Sequence, residues 1–221
     1  MKKWWLDTSL PDGALSDPDY VKALDTILRY RRAHENPLRK TTVGMRQFVS
    51  RESERVVVAQ RLKRLPTIVG KLARQPSMAL TRMEDIGGCR AILGTRSEVE
   101  GVVGRIQRNW EVVRLRDYVA VPKETGYRAV HVVVSRDGYK VEIQLRTPEQ
   151  HRWAATVEQT GARLRIELKD GRGPEELVAY FRVAAEMIAL KEGGQAADEV
   201  QARLQALSSL VRPYFETLIE E

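Results

Sequence analysis

The stretch AVHVVVSRDGYKVEIQLRT, residues 129–147, decides the fold because it contains two strands and the turn between them. Its β-branched residues are typical of strands, and Arg136-Asp137-Gly138 is typical of a hairpin turn. In the second strand apolar and polar residues alternate, so one face can be buried while the other carries polar groups. That polar face holds a carboxylate, an amide and a guanidinium: Glu142, Gln144 and Arg146.

The segments on either side of this hairpin predict further strands and helices. Strands are expected at 89–93 and 112–121, with a helix at 97–110 between them. Thr147-Pro148-Glu149 predicts the start of another helix, with proline in its first turn. Helices are also expected from about residue 17, at 42–59, after Pro66, at 174–190 and at 196–218.

Strands in the middle of the chain with helices on both sides predict an α+β protein with a mixed central β-sheet flanked by helices. We expect an N-terminal helical extension at 1–45, a central domain that contains the sheet at 46–170 and C-terminal helices at 171–221. The apolar positions of these last helices are expected to form core or the contacts of a homo-oligomer.

Composition narrows the class of protein without choosing a partner. The 221 residues include one cysteine, Cys89, which excludes a disulfide framework and a zinc–thiolate cluster. No apolar run approaches the roughly 20 residues of a membrane span, and no secretory leader is read, so a cytoplasmic protein with no membrane contact is expected. The net charge of +7 suits nucleotides, nucleic acid or an acidic partner.

Two clusters along the chain have a functional and a structural interpretation. A basic stretch could converge on a polyphosphate, or it could be a solvated face. Asp85, followed by Gly87 and Gly88, offers a hard oxygen ligand of the kind Mg²⁺ prefers, or it ends a simple turn. The basic stretch comprises Arg61, Lys63, Arg64, Lys71 and Arg74.

A third cluster, DYVAVPKETGYRAVH at residues 117–131, is either a polar turn or a pocket for a flat anion. Tyr127 follows a glycine and could present an exposed ring to a nucleobase. Lys123 and Arg128 could hold phosphates, and His131 could donate to one.

Taken in order, these segments resemble the synthetase domain of the RelA/SpoT family, particularly its small alarmone synthetases. The basic segment is similar to the family's ATP-binding segment, and DIGGCR at 85–90 resembles D-I-x-G-x-R. Residues 117–131 resemble D-Y-I-x-x-P-K-x-N-G-Y-x-S-L-H, and VEIQLRT at 141–147 resembles V-E-I-Q-I-R-T. WAATVE at 153–158 resembles the W-A-x-x-E-H helix, so the likeness covers about residues 55–160.

The resemblance implies a nucleotidyltransferase-like fold that transfers the β,γ-pyrophosphate of ATP to a ribose 3′-hydroxyl, releasing AMP. Asp85 and Glu142 would then be catalytic and would hold Mg²⁺, and Glu142 would assist deprotonation of the hydroxyl. The ATP-binding residues would be Arg61, Lys63, Lys71, Arg74 and Arg90. The acceptor-binding residues would be Lys123, Thr125, Tyr127, His131, Gln144 and Arg146.

Departures from the family pattern leave the acceptor open. Thr125 replaces an asparagine that helps read guanine, and Ala129 and Gln159 replace the family's serine and histidine. The leading expectation is synthesis of (p)ppGpp from GDP or GTP, without hydrolysis, because the hydrolase histidines are missing. The alternatives are a toxin that modifies the 3′ end of tRNA and has an antitoxin, a synthetase of adenosine alarmones, and an inactive relative that binds RNA or protein.

Overall fold

The computed structural model describes residues 18–53 and 57–216, which form α-helices around one five-stranded sheet. This arrangement confirms the predicted α+β class with a mixed central sheet. Short 3₁₀ turns lie at Leu80–Arg82 and Leu168–Asp170. In chain order the elements are α1 (Pro18–Ala33), α2 (Glu35–Val49), β1 (Val57–Leu62), α3 (Leu65–Arg74), β2 (Gly87–Ile92), α4 (Arg96–Asn109), β3 (Val112–Asp117), β4 (Val130–Arg136), β5 (Tyr139–Arg146), α5 (Pro148–Leu164), α6 (Glu175–Glu192) and α7 (Asp198–Glu216).

The strands lie in the order β1-β2-β5-β4-β3, with β2 and β5 parallel and all other neighbours antiparallel. The β4–β5 hairpin is the one predicted from residues 129–147. Its turn residues Asp137 and Gly138 have φ angles of 51° and 80°, and two positive φ angles in a row are what a type I′ hairpin turn requires. The hairpin therefore fixes which residues of β5 face the core.

One face of the sheet forms the main core against α2 and α4. The buried residues of α2 recur every three or four positions, as in Thr42, Met45 and Val49, so this helix lies with one side on the strands. Val132 and Ile143 project from the sheet into the same core and are fully buried. Each such side chain contributes about 1.5–3 kcal/mol relative to an exposed one, so packing stabilises this face of the sheet.

A second apolar cluster joins α5, α6 and α7 beside the sheet. The start of α5 matches the prediction, because Thr147 and Gln150 form a reciprocal capping box with Pro148 in the first turn. Trp153 on α5 is buried, and its indole nitrogen donates to the backbone oxygen of Phe181 on α6 at 2.8 Å. These contacts hold α6 close to the end of β5.

The predicted helix at 42–59 is wrong in its second half. The helix ends at Val49, and residues 57–62 instead form β1 at the edge of the sheet. β1 pairs with β2 from Val57, opposite Ile92, to Leu62, opposite Gly87. The β-branched residues at 57 and 58 favour this pairing, and a neighbouring strand outweighs weak local helical spacing.

The predicted strand at 112–121 is also too long, because β3 ends at Asp117. The Asp117 carboxylate accepts hydrogen bonds from the backbone N–H groups of Val119 and Ala120, at 2.8 and 3.0 Å. An aspartate that binds the backbone two and three residues ahead closes a turn in place of the strand ladder.

The predicted domain boundary between residues 45 and 46 falls inside α2. This helix continues to Val49 and packs in the main core. The first 17 residues of the predicted extension, and residues 217 and 218 of the last predicted helix, lie outside the described ranges. Within 18–53 and 57–216, none of the helices combines the length and the apolar content needed to cross a bilayer.

Candidate active site

The polar face of the sheet aligns predicted site residues from three strands. Arg61 of β1 lies beside Gly88 of β2, and Gly88 lies beside Glu142 of β5. Side chains at directly paired positions point to the same face, and glycine leaves open space between its neighbours. A guanidinium and a carboxylate therefore flank a gap at the centre of this row.

The next row brings Arg90, Gln144 and His131 together on β2, β5 and β4. Beside both rows is an open cleft of about 220 Å³. Six predicted site residues line this cleft. The sequence alone did not show that these six lie together. The lining residues are Ala59, Gln60, Arg61, Lys63, Asp85, Gly88, Cys89, Arg90, Glu142 and Gln144.

Asp85 is paired with two lysines in this cleft. Lys63 Nζ donates to Oδ2 at 2.7 Å and Lys71 Nζ donates to Oδ1 at 3.1 Å. Burial acts to raise the pKa of Asp85, but the hydrogen bonds and charges of the two lysines outweigh it and hold that pKa below its ordinary value. Asp85 is therefore ionised at neutral pH, with its charge balanced from within the site.

Glu142 is oriented by two neighbours on the sheet. His131 Nδ1 lies 3.0 Å from Oε1, and Gln144 Nε2 donates to Oε2 at 2.8 Å. Burial acts to raise the pKa of Glu142, but the contacts with His131 and Gln144 outweigh it and lower the pKa. This carboxylate is likewise ionised, and both of its oxygens have a fixed direction.

A chain of hydrogen bonds links Glu142 to Tyr127. The Tyr127 hydroxyl lies 2.6 Å from His131 Nε2 and accepts a hydrogen bond from Arg146 Nη2 at 2.6 Å. A neutral His131 with its proton on Nδ1 satisfies every member, because Nδ1 donates to Glu142 and Nε2 accepts from Tyr127. The partners thus assign the tautomer and couple the carboxylate to the tyrosine.

The Tyr127 ring is half-buried, whereas the sequence suggested an exposed one. Lys123 Nζ lies 5.1 Å from the ring centroid and the Arg146 guanidinium 5.0 Å. The rings of Tyr118 and Trp153 have centroids 5.8 and 6.4 Å away. A cation within about 6 Å of an aromatic face is attracted to it, so the ring is held before any ligand arrives.

Near Tyr127, two guanidinium groups and one imidazole each have a buried nitrogen without a hydrogen-bond partner: Arg90 Nε, Arg146 Nε and His151 Nδ1. Burial, and then the charges of Arg90 and Arg146, lower the pKa of His151, which keeps it neutral. Leaving a buried donor unpaired costs about 1–3 kcal/mol, so this corner suits an anion. Sequence reasoning missed His151, because its place in the first turn of α5 carries no motif signal.

Seven predicted site residues lie outside the cleft lining, and the contacts described above join five of them to it. The other two are Arg74 and Thr125. Arg74 is exposed at the end of α3. Thr125 has a buried hydroxyl without a partner, and its methyl group lies 3.3 Å from the place a Cβ on Gly171 would take. Their assignments to ATP and acceptor binding stay predictions.

Cys89 lines the cleft but is only 3% exposed. Burial, and then the charge of Glu142, raise the pKa of its thiol to about 12. The thiol stays protonated at neutral pH and is not a nucleophile here.

The donor set fits a magnesium ion that shares its ligands with a substrate. Asp85 and Glu142 line one cleft, and the charge of Asp85 acts on the pKa of Glu142. In the described part of the chain, no three histidine, cysteine, aspartate or glutamate side chains form a ready-made metal site. Mg²⁺ is typically bound through one or two carboxylates, with substrate phosphates and water completing the octahedron.

The fold is that of the small alarmone synthetases. Small alarmone synthetase 1 of Bacillus subtilis bound to its product pppGpp has a TM-score of 0.63 at 22% identity, covering 80% of this chain and 98% of that one. Small alarmone synthetase 2 of the same organism also has a TM-score of 0.63, at 23% identity, covering 77% and 94%.

Residues 60–162 match the family model described as the region found in RelA / SpoT proteins. A probable chloroplastic GTP diphosphokinase of Arabidopsis thaliana, RSH3, is 34% identical over 98 residues, or 43% of this chain. The GTP pyrophosphokinase YwaC of Bacillus subtilis is 29% identical over 142 residues, or 58% of this chain. The matches span only 14% and 65% of those relatives' lengths.

Proposed function

We propose that this chain is an ATP-dependent pyrophosphokinase that transfers the β,γ-pyrophosphate of ATP to the ribose 3′-hydroxyl of GDP or GTP. The observation that carries the proposal is the cleft itself. It sets two ionised carboxylates, Asp85 and Glu142, among basic side chains and links one of them to a half-buried tyrosine. Relatives named as GTP pyrophosphokinases support the guanosine acceptor.

The donor phosphates would bind on the β1–α3 side of the cleft. Lys63 and Lys71 already converge on one point, the Asp85 carboxylate, and Arg61 and Arg90 line the same cavity. Several cations converging from one side are what a triphosphate needs. Arg74 would contact the donor phosphates only if its side chain extended into the cleft from its exposed position at the end of α3.

The acceptor would bind at Tyr127, with its base on the ring. Lys123 lies over the same ring, and the cationic corner that includes Arg146 has unpaired donors for the acceptor phosphates. Gln144 and His131 join this side to Glu142. Thr125 would influence the base through the shape of its loop, because its hydroxyl is buried away from the cleft.

The transfer needs alignment and charge neutralisation more than covalent help from the protein. The acceptor 3′-oxygen forms a bond to the β-phosphorus of ATP, the bond from that phosphorus to the oxygen bridging the α-phosphate breaks, and AMP leaves. Glu142 is ionised and fixed in direction, so it can accept the hydroxyl proton as the new bond forms. Mg²⁺ held by Asp85 and Glu142 would neutralise charge on the donor phosphates.

A labelling experiment tests the proposal. The protein is incubated with Mg²⁺ and γ-labelled ATP plus, separately, GDP, GTP, AMP, unlabelled ATP or bulk tRNA. Label on GDP or GTP supports it, and Asp137→Asn, a change of a hairpin carboxylate outside the cleft, should transfer at the same rate. Label only on tRNA or only on adenine nucleotides would overturn the guanosine acceptor. If no acceptor is labelled while the protein still binds RNA, the chain is a binding protein and not an enzyme.

A further inference from the structure

The loop that carries the proposed acceptor groups, residues 122–129, is held from outside by α6. The guanidinium of Arg182, in the middle of α6, donates from Nε to the backbone oxygen of Glu124 at 2.9 Å. Within the loop, Gly126 N donates to the Lys123 oxygen at 2.8 Å and Lys123 N donates to the Tyr127 oxygen at 3.3 Å. The loop thus has a short internal turn and a long-range anchor on a helix 58 residues away.

Gly126 is a point of close approach between this loop and α6. Its φ angle is +89°, and a Cβ placed on it would lie 2.8 Å from the Ala185 Cβ and 3.3 Å from the Arg182 Cα. Contacts under 3.0 Å are closer than real Cβ atoms approach, so the loop backbone and the helix touch without a side chain between them. Glycine on one side and alanine on the other are what allow this approach.

The same support reaches Tyr127, the next residue in the loop. Trp153 on α5 lies beside the Tyr127 ring, and its indole nitrogen is hydrogen-bonded to Phe181 on α6, one residue before Arg182. The position of α6 is therefore transmitted to the ring through the loop backbone and through Trp153.

We propose that α6, acting through Arg182 and Ala185, positions the acceptor loop and thereby sets how well the acceptor binds. The inference rests on the proposed function and deepens it by adding two positioning residues in the C-terminal helices. Arg182 is exposed, so it does not stabilise the fold by burying apolar surface. It keeps the loop in one arrangement before the ligand arrives, and a ligand that binds an ordered loop does not have to supply the ordering free energy.

The first test is a split between acceptor and donor kinetics in Arg182→Ala. The KM for the guanine nucleotide should rise about five- to tenfold, as expected from the loss of one exposed hydrogen bond, while kcat and the KM for ATP stay unchanged. Arg182→Lys should recover much of the loss, because an ammonium can still reach the Glu124 oxygen. Arg203→Ala is the matched control, since that arginine of α7 pairs with Glu186 of α6 and not with the loop backbone. Equal changes in both KM values would overturn the proposal.

The second test does not depend on activity. Hydrogen exchange at the amides of Lys123 and Gly126 should speed up in Arg182→Ala, while the amides of β4 and β5 keep their protection. Ala185→Val, which pushes a methyl group toward Gly126, should speed the same two amides even though Arg182 is intact. Unchanged exchange in both variants would show that α6 does not anchor the loop. Faster exchange in a protein that transfers no pyrophosphate would keep the anchoring and reject the proposed function.

Discussion

The two halves of the candidate site, one around Asp85 and one around Tyr127, are organised by different forces. Around Asp85, charge is balanced by charge, with Lys63 and Lys71 both bound to one carboxylate. Around Tyr127, rings and helices pack together, with Trp153 and α6 behind the loop. The comparison teaches that the proposed donor side is held by ion pairs that a ligand can redistribute, whereas the proposed acceptor side is shaped by packing before any ligand binds.

The largest effect is expected from removing the charge of either carboxylate. Asp85→Asn and Glu142→Gln keep the size of the side chain but should lower kcat/KM for pyrophosphate transfer by at least about a hundredfold, because a metal ligand is worth several kcal/mol in the transition state. Steady-state kinetics with circular dichroism as a folding check measure this. A near wild-type rate in Asp85→Asn would show that Asp85 is not a ligand of Mg²⁺. The hairpin variant Asp137→Asn serves as control, since an asparagine tolerates its positive φ angle.

On the acceptor side, two substitutions of Tyr127 separate the ring from the hydroxyl. Tyr127→Ala should raise the KM for the acceptor by about five- to a hundredfold, since stacking on a base contributes about 1–3 kcal/mol. Tyr127→Phe keeps the ring but breaks the link between Arg146 and His131, so it should lower kcat more than it raises that KM. Identical kinetics for the two variants would mean that only one of these functions exists.

On the donor side, Lys63→Met should change metal and nucleotide binding in opposite directions. Mn²⁺ alone, followed by electron paramagnetic resonance, should bind about fivefold more tightly, because a cation that competes for Asp85 is gone. ATP should bind about tenfold more weakly, because a charged hydrogen-bond donor is lost. Lys40→Met, which breaks an exposed pair with Asp137, is the control. Weaker binding of both ligands would contradict this view of the donor side.

The smallest effect concerns stability, away from both sides of the cleft. His34, at the start of α2, is fully buried with Nε2 unpartnered, and burial lowers its pKa from 6.5 despite a bond from Nδ1 to the Tyr30 oxygen. As pH falls below 6.5 the unfolded chain gains a proton that the folded chain resists, so the free energy of unfolding should fall until the folded pKa is passed. Urea unfolding at pH 7.5 and 5.5 should show a smaller decline in His34→Gln. An equal decline would place the sensitivity at another histidine.

Much of the donor side could be predicted from sequence because its signals are local. The alternation in β5 places Glu142 and Gln144 on one face, and strand pairing then brings Arg61 and Arg90 beside them. Asp85 precedes β2 directly and is delivered to the same cleft. Short motifs on adjacent strands therefore carry most of this geometry.

The acceptor side resisted prediction because its contacts join distant parts of the chain. No local pattern relates Arg182 to Glu124, or Ala185 to Gly126, since only the packing of α5 against α6 brings them together. The early end of β3 has a similar origin. The Asp117 side chain accepts hydrogen bonds from the backbone of Val119 and Ala120, which forms a turn. This turn replaces the longer strand that the apolar residues alone would favour.

The buried thiol of Cys89 has a practical consequence for redox behaviour. Oxidants and alkylating reagents attack the thiolate, and a thiol with a pKa of about 12 and 3% exposure offers almost none of it. Cys89 should therefore resist oxidation and alkylation while the protein is folded, which a mass measurement after treatment with iodoacetamide would show. Since this is the only cysteine in the sequence, a new one introduced on the surface can be labelled selectively.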